Sequence, residues 1–395
     1  MARSGSLFAL VAVMLVAMTG FGVFLPIFPF LALATGAKAA WITWAMGAYS
    51  LGQFLAAPLW GRLSDRIGRK PVLIIGLIGS CLSYLMLAHA ATVLEMGGAR
   101  LFGGLMAGNV GAAFAAAADL ADSKTRARNM GLLGAAVGFG FIAGPAIGAL
   151  IVGPTPDEAG FRLVCEVSAA FAAAAALAAL LLFRETRQAG AAGPRARARS
   201  WSLLAHRPQL ALFSGATLVM IAAQALLEST FGLWAHAAFR WGPHEVGWTL
   251  AAMGLAAALL QGGGAGRAAR KLGERRTVLA GLAALTLGFV ALAAAHAPWL
   301  AYIALGAITL GIGLATPALQ SLVAAQGDES EHGAVMGLNQ SASALGRVIG
   351  PAVSGAIFDN LGHAAPYLVG AAMLALLAGA LATQSAQRDP SRSPT

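Results

Sequence analysis

The sequence predicts an all-α integral membrane protein: twelve transmembrane helices in two pseudo-symmetric halves of six. Three observations lead there. The 395 residues are 58% hydrophobic and only 11% charged, where a soluble domain carries about 25% charged residues. A glycine–proline ladder, Gly131, Gly140, Gly144 and Pro145, returns 206 residues later as Gly337, Gly346, Gly350 and Pro351. Finally, the basic residues gather on one side of the resulting topology. Many secondary transporters are built from such repeats, with substrate held at the repeat interface near the bilayer midplane.

A helix needs about 20 apolar residues to cross the hydrocarbon core. Uncharged stretches place spans near 6–34, 41–61, 71–92, 95–118, 130–152 and 164–183 in the first half. The second half gives 209–235, 245–265, 277–295, 298–326, 334–358 and 363–384. The stretch 277–327 has no charge and divides at His296-Ala-Pro298. Residues 6–34 are too long for a signal-peptide core and read as the first span. The domain plan is therefore 1–184 for one bundle, 185–207 for a cytoplasmic linker, 208–384 for the second bundle and 385–395 for a cytoplasmic tail.

Of the 26 Lys and Arg residues, 21 fall on one side of this plan, from Arg3 through the loops at 62–70, 124–128 and 267–276 to Arg392. Lys38, Arg162 and Arg240 fall on the other side, and Arg100 and Arg347 lie within spans. Positive charge collects in cytoplasmic loops, so both termini are expected inside a cell (inner) membrane. The net charge of +10 is loop charge dispersed along a membrane surface, which speaks against a nucleic-acid partner. Trp41, Trp241 and Trp299 at outer ends, with Trp60 and Trp201 at inner ends, fit an aromatic belt. Cys81 and Cys165 offer neither a disulfide framework nor a metal site.

The first inner loop reads Gly61-Arg-Leu-Ser-Asp65-Arg66-Ile-Gly68-Arg69-Lys70. Glycines permit a sharp turn, and Asp65 can accept from the positive end of a helix. This loop is similar to the signature loop of the major facilitator superfamily. The resemblance implies the major facilitator fold, and a conformational gate in which Asp65 contacts the start of the eleventh span. It also implies that Arg69 or Arg66 pairs with Asp119. The matching loop of the second half, Gly266 to Arg276, keeps glycines and bases but has Arg270 at the position of Asp65, so the clamp is expected to be asymmetric.

Three further elements extend the resemblance over nearly the whole chain. Arg100-x3-Gly104-x3-Gly108 in the fourth span is similar to a superfamily element whose arginine assists proton transfer. The residue-level reading, an arginine bonded to backbone carbonyls, stands beside it. The fifth span carries Gly131-x8-Gly140-x3-Gly144-Pro145-x2-Gly148, which resembles the mark of the drug:proton antiporter branch. Its glycine face allows close helix packing, and Pro145 bends the helix. The first span, Gly20-x-Gly22-x3-Pro26-x2-Pro29, resembles that of twelve-span tetracycline exporters. Those exporters carry an aspartate three residues before the first glycine, where this chain has Ala17.

Proton-driven export needs a carboxylate within a span. Glu95 and Glu166 lie at outer ends, Asp119 at an inner end and Asp359 at the outer end of the eleventh span. Glu228 is the candidate, sharing a face of the seventh span with Gln224 and Met220. A carboxylate reaching the outer interface is the other reading of it. Arg347 is expected to be a buried charge, preceded by Asn339, Gln340, Ser341 and Ser343. A substrate cavity would use Phe24, Phe28, Met220, Gln224, Asn339, Gln340 and Arg347. For the amides and hydroxyls the competing reading is ordinary interhelical hydrogen bonding.

The expected activity is proton-coupled efflux of lipophilic drugs by alternating access. The partners are a small-molecule substrate, protons and the lipid bilayer; the protein is monomeric, as the resemblance implies. No cofactor is expected, the proton gradient supplying the drive. The alternatives are a metabolite transporter and a non-transporting membrane scaffold. No nucleophile–base pair, metal cluster or phosphate-binding loop suggests an enzyme.

Overall fold

The computed structural model describes residues 2–121, 125–153, 157–186, 206–260, 264–327 and 331–386. Most of the linker, and the tail from residue 387, lie outside these. Every regular element among the described residues is helical. In chain order they are α1 (Ala2–Phe24), α2 (Phe28–Ala34), α3 (Ala39–Ile67), α4 (Arg69–Ala88), α5 (Val93–Leu105), α6 (Asn109–Asp119), α7 (Arg126–Val152) and α8 (Glu158–Leu182). There follow α9 (Pro208–Phe239), α10 (Pro243–Leu259), α11 (Ala265–Leu272), α12 (Glu274–Ala293), α13 (Pro298–Ala324), α14 (His332–Leu361) and α15 (Ala365–Ala386).

Among the described residues nine helical segments are long and apolar enough to cross a bilayer. The three remaining expected spans fall on α3, α10 with α11, and α14. These are helical among the described residues: α14 carries Asn339, Gln340 and Arg347, and residues 261–263 of the expected span 245–265 lie outside the described residues.

Two expected continuous spans are broken. The first divides at Leu25-Pro26-Ile27, as the missing N–H of proline dictates. The fourth divides at residues 106–108, between α5 and α6, with no proline to announce it. There the indole of Trp60 donates to the carbonyl of Leu105 at 2.6 Å. A β-carbon on Gly108 would lie 2.4 Å from the same indole. Trp60 thus packs between helices and satisfies a carbonyl freed at the break.

Trp241 departs from the expected belt. It is 8% exposed, against the rings of Phe231 and Phe239. Trp41 and Trp299, by contrast, are exposed.

By contact, the chain forms two compact units: residues 1–192 with 229–254, and residues 193–228 with 255–395. The sequence repeat counts 229–254 with the second half. By packing it joins the first unit, because Gly232 sits on Pro29 and Phe30, and Gly247 on Pro145 and Ala149. In addition His244 Nδ1 lies 3.0 Å from the Ala149 carbonyl oxygen.

Inside the first unit α1 packs on α7 and α8, α3 on α5, and α4 on α8. Its core joins Leu10, Val13 and Met14 of α1 to Leu73 and Leu77 of α4 and to alanines of α6 and α8. Small residues let these backbones approach closely, as helix association in lipid requires. Phe8, Leu181, Leu287 and Leu376 stay exposed, as a lipid-facing surface does. In the second unit α12 packs on α13 and α15.

The glycine ladders explain the repeat. On α7, β-carbons at Gly140, Gly144 and Gly148 would lie 2.6 Å or closer to Met18, Gly22 and Val23 of α1. On α14, β-carbons at Gly346 and Gly350 would strike the backbone of Leu218 and Ala222 of α9 at 2.7 and 2.6 Å. Each half therefore joins its first and fifth spans backbone to backbone. Gly131 and Gly337 meet nothing within 4 Å, so the first member of each ladder is no part of the packed face.

Candidate functional site

Three clusters hold the residues singled out in the sequence. The first is the signature loop. Gly68 ends α3 and opens α4 at φ 107°, and Gly273 does the same between α11 and α12 at φ 80°. Both values lie in the region that favours glycine. Arg69 is the hub of the first loop. Its Nε donates to Asp119 Oδ2 at 3.0 Å, and its Nη1 donates to Asp65 Oδ1 at 2.6 Å and to Ser64 Oγ at 3.0 Å. The pair with Asp119 is thus made by Arg69. Asp65 leaves 60% of its side chain exposed, while Arg69 is 14% exposed. Gly61 precedes the loop within α3, and Arg66 is exposed.

The loop also contains a residue that sequence reasoning assigned only to the linker. Glu185 accepts from the backbone N–H of Arg69 at 2.9 Å and of Lys70 at 3.0 Å. Its carboxylate caps the positive end of α4. Lys70 Nζ returns the favour at the negative end of α8, donating to the Leu180 carbonyl at 2.7 Å. In the second unit Arg275 donates to the Leu381 carbonyl, in the C-terminal part of α15, so a basic residue again reaches a neighbouring helix.

The second cluster surrounds Arg100. It is 4% exposed, and its guanidinium lies over the rings of Phe21, Phe24, Phe28 and Tyr49 at 5.7, 5.5, 5.8 and 4.5 Å. Among the described residues it forms no ion pair, and its Nε has no hydrogen-bond partner. Nor is a hydrogen bond from it to a backbone carbonyl, the expected residue-level partner, found among the described residues. An arginine at a helix centre in the bilayer costs at least ~2.5 kcal/mol on insertion scales. Each desolvated cation–π contact returns roughly 0.5–2 kcal/mol, so four rings can offset the charge. Phe24 and Phe28 are each 1% exposed. Both belong to this cage.

The third cluster lies in the second unit. Met220 is buried, Gln224 is half-buried and Glu228 is exposed, each one turn from the last on α9. Among the described residues Glu228 makes no hydrogen bond or ion pair, and Arg347 of α14 is the charge that acts on it. The other four acids weighed for coupling are engaged. Glu95 forms a capping box with Thr92, Glu166 pairs with Arg162 at 2.8 Å, Asp119 holds Arg69, and Asp359 also has a partner.

Arg347, expected to be buried, is exposed, as is Gln340. Asn339 is 3% exposed, with its side-chain oxygen unpartnered among the described residues. Ser341 and Ser343 donate to carbonyls four residues back in α14, at 3.0 and 3.1 Å. They bond within their own helix, as mid-helix serines do, where interhelical bonds were expected.

Comparison with known proteins agrees with this geometry. A family profile described as Major Facilitator Superfamily matches residues 10–236 and 213–394. The chain is 31% identical over 341 residues to the tetracycline resistance protein, class C, of Escherichia coli, covering 82% of each. It is 31% identical over 382 residues to the class D protein of Salmonella ordonez, covering 93% of this chain and 94% of that one. The crystal structure of the human organic anion transporter MFSD10 (TETRAN) superposes with a TM-score of 0.70 at 24% identity, over 96% of this chain and 99% of that one.

Proposed function

The chain belongs to the major facilitator superfamily, and from that premise we propose that this multi-pass transporter exports lipophilic drug-like molecules in exchange for protons. Tetracycline-type compounds are the first candidates, since its relatives are tetracycline resistance proteins. Their substrate is a proposal here, because Ala17 stands where the resembled exporters carry an aspartate.

The observation that carries the reading is Glu228. Of the carboxylates weighed for coupling, Glu95, Asp119, Glu166, Glu228 and Asp359, it is the one left without a hydrogen bond or ion pair among the described residues. A free carboxylate with Gln224 and Met220 on its face can take a proton from one side and yield it when substrate arrives. Transport would proceed by alternating access, with Gly61, Asp65, Arg66, Gly68 and the Arg69–Asp119 pair gating the cytoplasmic side. Gly140, Gly144, Pro145 and Gly148 keep the fifth span rigidly seated on the first. The protein works as a monomer in the cell membrane, with both termini inside and the proton gradient as its drive.

The test is substrate-induced proton release from the purified protein in detergent. Tetracyclines, phenicols, lipophilic cations and an organic anion would be added to wild type and to Glu228→Gln. Release by wild type and none by the variant is the expected result. Equal release from both would remove Glu228 from the coupling step, and no release with any compound would count against proton-coupled export.

A further inference from the structure

Arg100 carries a positive charge inside the first unit, and the described residues supply no negative charge to match it. Among the described residues it makes no ion pair, and the titratable groups in electrostatic reach are the phenols of Tyr49 and Tyr84. The four-ring cage lowers the penalty for the charge without neutralising it.

Beside the cage, and sharing the rings of Phe21 and Tyr49 with it, is a cavity of about 20 Å³. That is room for one particle the size of a water molecule or a halide. Its walls are otherwise apolar, from Ala17, Met18, Leu77 and Ala172, but four polar side chains from three helices open onto it: Tyr49 of α3, Ser80 and Tyr84 of α4, and Asn109 of α6. The Ser80 hydroxyl is spent on the Gly76 carbonyl at 2.9 Å. The two phenols and the Asn109 amide remain as donors. Asn109 is 4% exposed and Tyr84 6%. Donors in an apolar shell, next to an uncompensated arginine, make a chemical environment that selects negative charge.

We propose that the first unit binds one small monovalent inorganic anion, of chloride type, between Tyr49, Tyr84 and Asn109, where it acts as the counter-charge of Arg100. The small volume suits a single inorganic ion and is too small for a drug-sized molecule. The proposal does not depend on the transported substrate, because binding is read without it.

Two measurements on the full-length purified protein test it. The first is thermal unfolding in chloride, bromide, sulfate and gluconate at equal ionic strength. Chloride and bromide should raise the melting temperature by several degrees, saturating in the millimolar range, and sulfate and gluconate should not. Tyr49→Phe, which keeps the ring over Arg100 but deletes the donor, should weaken the apparent affinity about five-fold or more. The second is anomalous diffraction from bromide-grown crystals, with a peak expected between Tyr49, Tyr84 and Asn109. Equal melting in all four salts with no bromide peak there would overturn the proposal. So would halide stabilisation that is unchanged in Tyr49→Phe, or that appears only at crystal-soak concentrations.

Discussion

At the residue scale, charge placement separates side chains that hold the fold from those free to act. Asp119 and Asp65 both accept from Arg69, yet they differ in burial, 24% against 60% side-chain exposure. Asp119→Asn should therefore lower the thermal stability of the purified protein by about 1 kcal/mol, the worth of a charge-assisted bond partly screened by solvent. Asp65→Asn should cost less than ~0.5 kcal/mol while sharply lowering transport, because its proposed task is to gate. A stability loss at Asp65 with normal transport would contradict the gate. The sequence made the loop and its partner acid legible, since glycine, acid and base types recur at fixed spacing. It did not disclose the Arg100 cage, whose rings come from positions 21 to 49, on helices that only folding brings to α5. Nor could it tell that Arg347 is exposed, because a charge in a long uncharged stretch looks the same either way.

At the element scale, the glycines of one ladder are unequal. Gly144→Ala would place a β-carbon 2.5 Å from the backbone of Gly22, and should destabilise the α1–α7 pair by roughly 1–3 kcal/mol, as overpacking does. Gly131→Ala meets open space and should be neutral, or stabilising by up to about 1 kcal/mol from helix propensity. The same contrast is expected between Gly350→Ala and Gly337→Ala in α14. Expression and melting of the four variants would check it; equal sensitivity at Gly131 and Gly144 would refute the packing account. The cap of α4 is a second element-scale feature. Glu185→Gln retains one acceptor but loses the charge at a helix N-terminus, and should cost about 0.5–2 kcal/mol, less at high salt. Helix ends were readable from glycine and proline, but the break between α5 and α6 was not. It depends on Trp60 arriving from α3 to bond the Leu105 carbonyl, a tertiary event with no local sequence mark.

At the scale of the whole molecule, duplication is the organising fact. An offset of 205 or 206 residues relates not only sequences but contacts: ladder to first span in each half, positive-φ glycine before α4 and α12, and a basic residue reaching a carbonyl in the C-terminal part of α8 and of α15. The symmetry stops at the chemistry. Asp65 faces no acidic counterpart at Arg270, and Glu228 and Arg100 sit in different units at unrelated positions of the repeat. Such asymmetry is what a directional carrier needs, since identical halves would have no preferred place for the proton. The central claim, exchange of substrate for protons through Glu228, is tested most directly in liposomes. Purified protein would be reconstituted with a pH indicator inside, and an outwardly or inwardly directed gradient of a tetracycline imposed without any pre-set pH difference. Proton movement opposite to the drug, abolished by Glu228→Gln but retained by Glu228→Asp at reduced rate, is the predicted result. Drug movement with no change in internal pH would contradict it.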